Sequence, residues 1–117
     1  MATHNDFGKE GEQLAEKFLI EKGYKVIARN YRFGKGEIDL ICTHNDMLVF
    51  VEVRARKDEE IIRVTDTISK KKKMLLLKTA NYFVEEKDID LECRFDVITL
   101  IGYGKPKIEH IEEAIVP

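Results

Sequence analysis

Apolar residues recur at every third or fourth position near the start of the chain. They are Phe7, Gly11, Leu14, Ala15, Phe18 and Leu19. This spacing predicts an amphipathic helix over residues 6–22. Asn5 or Asp6 can cap the start of the helix, and Gly23 can end it.

Short apolar runs, separated by turn residues, follow this helix. Residues 24–31, 36–43 and 47–55 each predict a β-strand. Asn45 and Asp46 lie between the last two runs. Because Asn and Asp tolerate positive φ, they predict a two-residue hairpin turn.

The second half of the chain predicts one helix and two strands. Residues 66–86 form the helix, whose inner face takes Ile68, Leu75, Leu76, Ala80 and Phe83. Residues 95–101 are almost continuously apolar, which is typical of a central strand covered on both faces. A short strand is expected near residues 107–111. The order αβββαβ, with this added strand, predicts an α/β fold with a mixed β-sheet flanked by helices.

Length and composition indicate one globular domain over residues 1–117, with 36% charged residues. No apolar run approaches the roughly 18 residues that span a bilayer, and the start lacks the layout of a secretory signal. We therefore expect a cytoplasmic protein with no membrane partner. Cys42 and Cys93 are expected to be buried in strands without forming a disulfide.

Charge is segregated along the chain, although the net charge is only -2. Acids crowd residues 37–60 and 85–92, whereas residues 70–73 are four lysines. The net charge argues against a protein that coats nucleic acid nonspecifically, but the distribution leaves local binding open. Four consecutive lysines cover a full helical turn, so at least one must point toward the sheet.

Two of the apolar strands also carry carboxylates. If residues 45 and 46 form the turn, residue 39 lies opposite 52 and residue 37 opposite 54. Opposite residues share one face, with Cβ atoms about 4.5–5.5 Å apart. Asp39 and Glu52 are therefore expected side by side, with Arg54 as their neighbour.

Two explanations of these acids remain open from the residues alone. Like charges placed opposite each other are destabilising, and Mg²⁺ would relieve this by binding one or two carboxylates together with phosphate oxygens. Alternatively, the acids lie on a solvent-facing sheet, where Arg54 and Arg56 neutralise Glu37 and Glu52 as ordinary cross-strand pairs.

Several motifs resemble those of a known family. GEIDLI at residues 36–41 and VFVEVRAR at residues 49–56 follow GKEGEQLAEKFL and ARNYR, and KTANYF and RFDVITL come later. In this order the motifs resemble the YraN-like family of endonuclease-like proteins across essentially the whole chain. That family is similar to archaeal Holliday-junction resolvases, and both belong to the PD-(D/E)xK nuclease superfamily.

The resemblance implies a restriction-endonuclease-like αβββαβ core and a metal-dependent endonuclease that hydrolyses DNA, including branched DNA, with Mg²⁺ or Mn²⁺. It implies that Asp39, Glu52 and the carbonyl of Val53 bind the metal. Glu12 would help to hold or orient the metal-bound water, or else is an exposed helix carboxylate. Glu37 would support the ligands by pairing with a cation. Resemblance to the resolvases also suggests a homodimer.

The chain departs from the superfamily pattern at residue 54, where Arg54 replaces an expected lysine. An arginine can stabilise charge on a phosphate, but it stays protonated and is bulkier than an ammonium. It can instead pair with Glu37 or Glu52. Matching the second helix to the family makes Lys72 the preferred active-site cation, with Lys70 or Lys71 as alternatives. The other interpretation of these lysines is a solvated helix face.

Other basic and aromatic residues are candidates for contact with nucleic acid. The phosphate-contact candidates are Arg29, Arg32, Lys35, Arg56, Lys70 and Lys71. Tyr31 and Phe33 can stack on an unpaired base, although a core role is expected for at least one of them. Asp96 shares a strand face with Arg94, so an ion pair between the two is expected.

Three functions are consistent with the sequence. The first is a metal-dependent endonuclease. The second is a nuclease-fold protein that binds nucleic acid but has weakened or lost catalysis, which Arg54 favours. The third is a protein-interaction domain without a nucleic-acid role, which the negative net charge favours.

Overall fold

The structure, a computed structural model, describes residues 4–56, 69–102 and 104–115, with side chains from residue 8 onward. Its elements are α1 His4–Glu21, β1 Lys25–Phe33, β2 Gly36–His44, β3 Met47–Arg56, α2 Lys70–Glu86, β4 Glu92–Ile101 and β5 Lys107–Ile111. The predicted order αβββαβ with a final short strand is confirmed. Because α1 begins at His4, Asn5 and Asp6 lie inside the helix, and the prediction that one of them caps its start was wrong. The side chain of Phe7 and Ile68 lie outside the described residues.

The five strands form one sheet in the order β1-β2-β3-β4-β5. Neighbours are antiparallel except β3 and β4, which are parallel. Parallel strands need a crossover connection, and α2 lies in the connection between these two. The sheet is therefore mixed, as predicted, and compatible with a restriction-endonuclease-like core.

The β2–β3 hairpin turns at the two predicted residues. Asn45 has φ 48° and Asp46 has φ 62°, which is the signature of a type I′ turn. His44 pairs with Met47, and the same register continues to Leu40 opposite Val51. The predicted register is confirmed over this stretch.

The core has a layer on each face of the sheet. Leu76, Ala80 and Phe83 of α2 pack on one side against strand residues such as Phe50 and Val97. Ala15 and Leu19 of α1 pack on the other side against Leu40, Cys42, Val49, Val51, Ile98 and Leu100. Residues 95–100 of β4 are all buried, as expected for a central strand. Within the described ranges, no helix is long and apolar enough to cross a membrane.

The two cysteines differ in their surroundings. Both are free, so the prediction of no disulfide is confirmed, and Cys42 is buried. Cys93 is exposed, and the prediction that it is buried was wrong. It lies at the second position of β4, where the strand extends beyond the layers that cover its centre.

Asp96 is fully buried in β4 and is neutralised by its neighbours. Arg94 donates to both of its carboxylate oxygens at 2.8 Å, and His110 Nε2 lies 2.7 Å from Oδ2. Burial raises the pKa of Asp96, but the hydrogen bonds from His110 and Arg94 outweigh burial, so this pKa is lowered. The predicted pair of Arg94 with Asp96 is confirmed.

Gly36 allows α2 to pack closely on the start of β2. A Cβ atom at residue 36 would lie 1.9 Å from Thr79 Oγ1 and 2.9 Å from the carbonyl oxygen of Leu75. Both neighbours belong to α2, and the carbonyl cannot move without distorting that helix. Only glycine therefore fits at this crossing.

We expect Gly36→Ala to lower the free energy of unfolding by about 3 kcal/mol, because overpacking forces α2 away from the sheet. Urea denaturation followed by circular dichroism measures the change. Gly8→Ala is the matched control, since nothing lies within 4 Å of a Cβ atom there. Equal stability of Gly36→Ala and the wild type would contradict this account of the crossing.

Candidate metal and nucleic-acid site

The β2–β3 ribbon changes its bonding just beyond the last recorded pair, Leu40 with Val51. There the carboxylate of Asp39 accepts a hydrogen bond from the backbone N–H of Val53, with Oδ2 at 2.8 Å. A side chain thus takes the place of a backbone acceptor. Among the described residues, the backbone pairing of β2 with β3 ends at Leu40 and Val51, so residues 39 and 52 are not ladder partners. Beyond this pair, the side chain of Asp39 joins the two strands.

The carboxylate of Asp39 interacts with two other acids. Burial, followed by the nearby charges of Glu52 and Glu12, raises the pKa of Asp39 to about 8. The N–H of Val53 acts in the opposite direction but is outweighed. Asp39 therefore lies within electrostatic reach of both acids, one from β3 and one from α1. The predicted approach of Asp39 to Glu52 agrees with this coupling.

Glu52 is paired with Lys72 of α2. Lys72 Nζ donates to Glu52 Oε1 at 2.9 Å, and only 11% of the Glu52 side chain is exposed against 42% for Lys72. Ser69 caps the helix by accepting from the backbone N–H of Lys72 at 3.1 Å. This cap places Lys72 in the first helical turn. The prediction that one of the four lysines points toward the sheet is confirmed, and the residue is Lys72.

Four lysines at a helix N-terminus oppose the usual electrostatic preference. The positive end of the helix dipole favours acids in the first turn, by typically 0.3–1 kcal/mol for each charge. The first turn of α2 instead begins with residues 70–73 and contains no acid. Helix stability therefore does not explain these lysines. For Lys72, the carboxylate of Glu52 offsets the unfavourable position.

Arg54 is half-buried beside this cluster, and its Nε has no hydrogen-bond partner among the described residues. The two carboxylates that were expected to pair with Arg54 pair with other residues instead. Glu37 pairs with Arg32 across β1 and β2 at 3.6 Å, and Glu52 pairs with Lys72. A buried donor without a partner is costly, so Arg54 favours an anion at this place.

A cleft of about 270 Å³ opens in front of Asp39. It is lined by Lys9, Glu12, Gln13, Glu16, Arg29, Asn30, Asp39 and Leu40. Residues 9, 12, 13 and 16 fall at i, i+3, i+4 and i+7, which places them on one face of α1. Helical spacing could therefore have indicated Lys9, Gln13 and Glu16 from the sequence, although the family motifs did not. Asn30 has φ 48° within β1, a conformation that the sequence did not indicate.

The predicted phosphate contacts differ in their availability. Arg29 forms a two-pronged ion pair with Glu16 in the cleft, and Arg32 is exposed but paired with Glu37. The exposed remainder is Lys35 in the β1–β2 turn, Arg56 at the end of β3, and Lys70 and Lys71 at the start of α2. Their roles in binding stay predictions.

The two candidate stacking residues take different roles. Tyr31 packs its ring edge-on against Phe83, and its hydroxyl donates to Glu86 at 3.3 Å. It belongs to the core layer beneath α2. Phe33 is exposed and stacks on Tyr82 of α2. The expectation of a core role for at least one of the two is confirmed by Tyr31.

The donor set suits a hard divalent cation that completes its shell from a substrate. Among the described residues, no group of three or more His, Cys, Asp or Glu is arranged to hold a metal by itself. Mg²⁺ typically takes one or two carboxylates, with waters and phosphate oxygens at its remaining positions. Asp39 and Glu52 match this partial set, and the raised pKa of Asp39 marks negative charge that a cation would relieve.

Comparison with known proteins identifies the family of this chain. The sequence pattern of the uncharacterised protein family UPF0102 matches residues 11–100. The chain belongs to UPF0102, the YraN-like group. A UPF0102 protein of Phocaeicola vulgatus is 41% identical over 118 residues, covering 100% of this chain and 98% of the relative. A UPF0102 protein of Flavobacterium psychrophilum is 44% identical over 115 residues, covering 97% of each chain.

We expect Asp39→Asn to stabilise this UPF0102 protein in the absence of divalent metal. The pKa of Asp39 rises from 3.8 to about 8 on folding, so its carboxyl destabilises the fold increasingly as pH rises between these values. The amide keeps an oxygen for the N–H of Val53 but carries no charge. The midpoint of thermal unfolding should rise by about 4 °C or more at pH 8.5 and by less at pH 5.5.

Glu85→Gln serves as the matched control, because it neutralises an exposed acid on α2 away from the cluster. Its midpoint should stay within about 1 °C of the wild type at both pH values. If Asp39→Asn melted below the wild type at both pH values, Asp39 would be a stabilising residue and not a strained acid.

Proposed function

We propose that this protein is a metal-dependent endonuclease that hydrolyses phosphodiester bonds in DNA, including branched DNA. The observation that supports it best is the partly buried carboxylate of Asp39, which is held by the N–H of Val53 within electrostatic reach of Glu12 and of Glu52, the partner of Lys72. Acids that oppose one another in a partly buried place cost stability. A ligand that needs them explains why they are present.

Asp39, Glu52 and the carbonyl of Val53 would hold Mg²⁺ or Mn²⁺. When bound, the ion would lower the pKa of a water and offset negative charge on the phosphate. Val53 would then contribute with both backbone groups, its carbonyl to the metal and its N–H to the carboxylate of Asp39. Glu12 lines the same cleft as Asp39, and its charge helps to raise the pKa of Asp39, so it would hold or orient a water beside the ligands.

Two cations of the chain would meet the phosphate. Lys72 carries a compact ammonium, held 2.9 Å from Glu52, and would supply the charge that the superfamily pattern takes from a lysine on β3. Arg54 has an unpartnered donor available for a phosphate oxygen. Donors fixed before the reaction stabilise the charge that develops in the transition state, without reorganisation. In this mechanism Lys72 replaces the missing lysine and Arg54 assists it.

A second function is favoured by one specific observation, the arginine at residue 54. Its guanidinium stays protonated and cannot approach as closely as an ammonium. If Lys72 does not compensate, the protein would bind nucleic acid with weak or no cleavage. Both functions place the protein in the cytoplasm, where its DNA would lie. A homodimer would suit a branched substrate, because such a junction presents symmetry-related strands.

The endonuclease proposal predicts that the wild type nicks supercoiled plasmid and four-way junction DNA when Mg²⁺ or Mn²⁺ is added. Asp39→Ala and Glu52→Ala should each lower the rate at least about 100-fold, because each removes a metal-binding carboxylate. Gel electrophoresis of the products measures the rate. Glu21→Ala, which removes an exposed acid at the end of α1, should cut like the wild type. If Glu52→Ala cut as fast as the wild type, the cleavage would not depend on this site and the assignment would be refuted.

Arg54→Lys distinguishes the two candidate functions. If catalysis is weakened by the arginine, the lysine variant should cut about 10-fold faster than the wild type or more. If Lys72 already supplies the ammonium, Arg54→Lys should change the rate little and Lys72→Ala should abolish it. The same plasmid assay reports both variants. Calorimetric titration with Mg²⁺ shows whether either substitution changes metal binding.

A further inference from the structure

Phe33 and Tyr82 form a stacked aromatic pair on the surface. Their ring centroids lie 3.9 Å apart with an interplanar angle of 10°. Phe33 is 42% exposed and Tyr82 is 39% exposed. We call these two residues the aromatic platform. Contact between them covers only part of each ring, so apolar surface remains open to a ligand.

We propose that the aromatic platform binds the bases of an unpaired nucleic-acid strand and leads that strand to the site at Glu52 and Lys72. This proposal deepens the proposed function and rests on it, since it names single-stranded or branched nucleic acid as the substrate class of that site. Stacking of a base on an aromatic ring contributes about 1–3 kcal/mol and needs no particular sequence.

Lysines connect the platform to the site along one face of α2. Lys71, Leu75, Lys78 and Tyr82 follow the spacing i, i+4, i+7 and i+11, which keeps them within about 60° of the helix circumference. Leu75 is half-buried against the sheet, whereas Lys71 and Lys78 are exposed. Among the described residues, neither Lys71 nor Lys78 has an ion-pair partner. Both are therefore available to phosphates.

The length of this face suits a short strand. Lys71 and Tyr82 are eleven residues apart, or roughly 16 Å at 1.5 Å for each helical residue. About five nucleotides of stacked strand, at about 3.4 Å each, cover that distance. Lys72, next to Lys71, already reaches Glu52. A strand stacked on the platform would thus have a phosphate near the carboxylates.

Charge also sets where the strand would stop. Glu86 follows Tyr82 by one helical turn and accepts a hydrogen bond from Tyr31. Glu85, beside it, is exposed. These acids disfavour phosphates beyond the platform, whereas the lysines attract them on the side of the site. The charge pattern favours a polyanion that lies between Lys72 and Tyr82.

The stacked geometry favours an unpaired strand over a duplex or a protein. Bases in a duplex already stack on each other and expose only their edges, so they cannot lie on an aromatic ring. A protein partner could cover the rings, but only an acidic one would also match the lysines along the approach, whereas every nucleic-acid strand carries phosphates. Unpaired nucleic acid satisfies both the aromatic and the cationic groups.

Fluorescence anisotropy in EDTA tests this proposal on the full chain, with a labelled oligothymidine and a blunt duplex of equal length as probes. The double variant Phe33→Leu/Tyr82→Leu should bind oligothymidine about 5- to 100-fold more weakly than the wild type, with little change for the duplex. Tyr82→Phe should bind like the wild type, because it keeps the ring. Ile20→Ala, which truncates an exposed apolar residue on α1, is the matched control.

Thermal unfolding of the same variants separates binding from structure. If the double variant binds oligothymidine as tightly as the wild type, the proposal is overturned. It is also overturned if affinity for both probes falls together with a large loss of thermal stability, because the pair then only fixes α2 on β1. Since EDTA prevents cleavage, ring-dependent binding by a protein that never cuts DNA would refute the proposed nuclease and support the platform.

Discussion

The hydrogen bond from the N–H of Val53 to the carboxylate of Asp39 determines how the β2–β3 ribbon ends. By accepting from the neighbouring strand, this carboxylate replaces a backbone carbonyl and stays close to Glu52. Burial and the charge of Glu52 then raise the pKa of Asp39 to about 8. The same contact thus closes the ribbon and concentrates negative charge. Placing acids close together in a partly buried position is costly for a small domain, and it is typical of sites that bind a cation or an acid–base partner.

The lysines at the start of α2 bring positive charge close to these acids. They lie at the helix end where the dipole disfavours cations, so their position costs helix stability. One of them, Lys72, recovers part of this cost through Glu52. The others remain exposed or half-buried around the site. Acids and lysines that are each unfavourable in their own element become favourable when β3 and α2 meet, and more so if a phosphate lies between them.

Much of the fold followed from local patterns, because turn residues and apolar spacing act over short distances. Asn45 and Asp46 allowed the register of β2 and β3 to be predicted down to Leu40 opposite Val51. Beyond that pair the sequence could not show that a side chain replaces the ladder. The sequence also could not show that Glu37 pairs with Arg32 and not with Arg54, because the partner depends on how far β2 and β3 diverge. The roles of Asp39 and Glu52 came from family resemblance, whereas their proximity also followed from the hairpin.

The position of the ammonium has a consequence for how the site is held together. A lysine at residue 54 would be fixed by the sheet itself, but Lys72 is fixed by the packing of α2. That packing depends on Gly36, where any side chain would collide with Thr79. Tyr82 extends from the same helix to Phe33. One helix therefore carries the cation beside Glu52, the contact that docks the helix on the sheet and half of the aromatic platform. A shift of α2 would alter the charge beside Glu52 and the proposed strand-binding surface together.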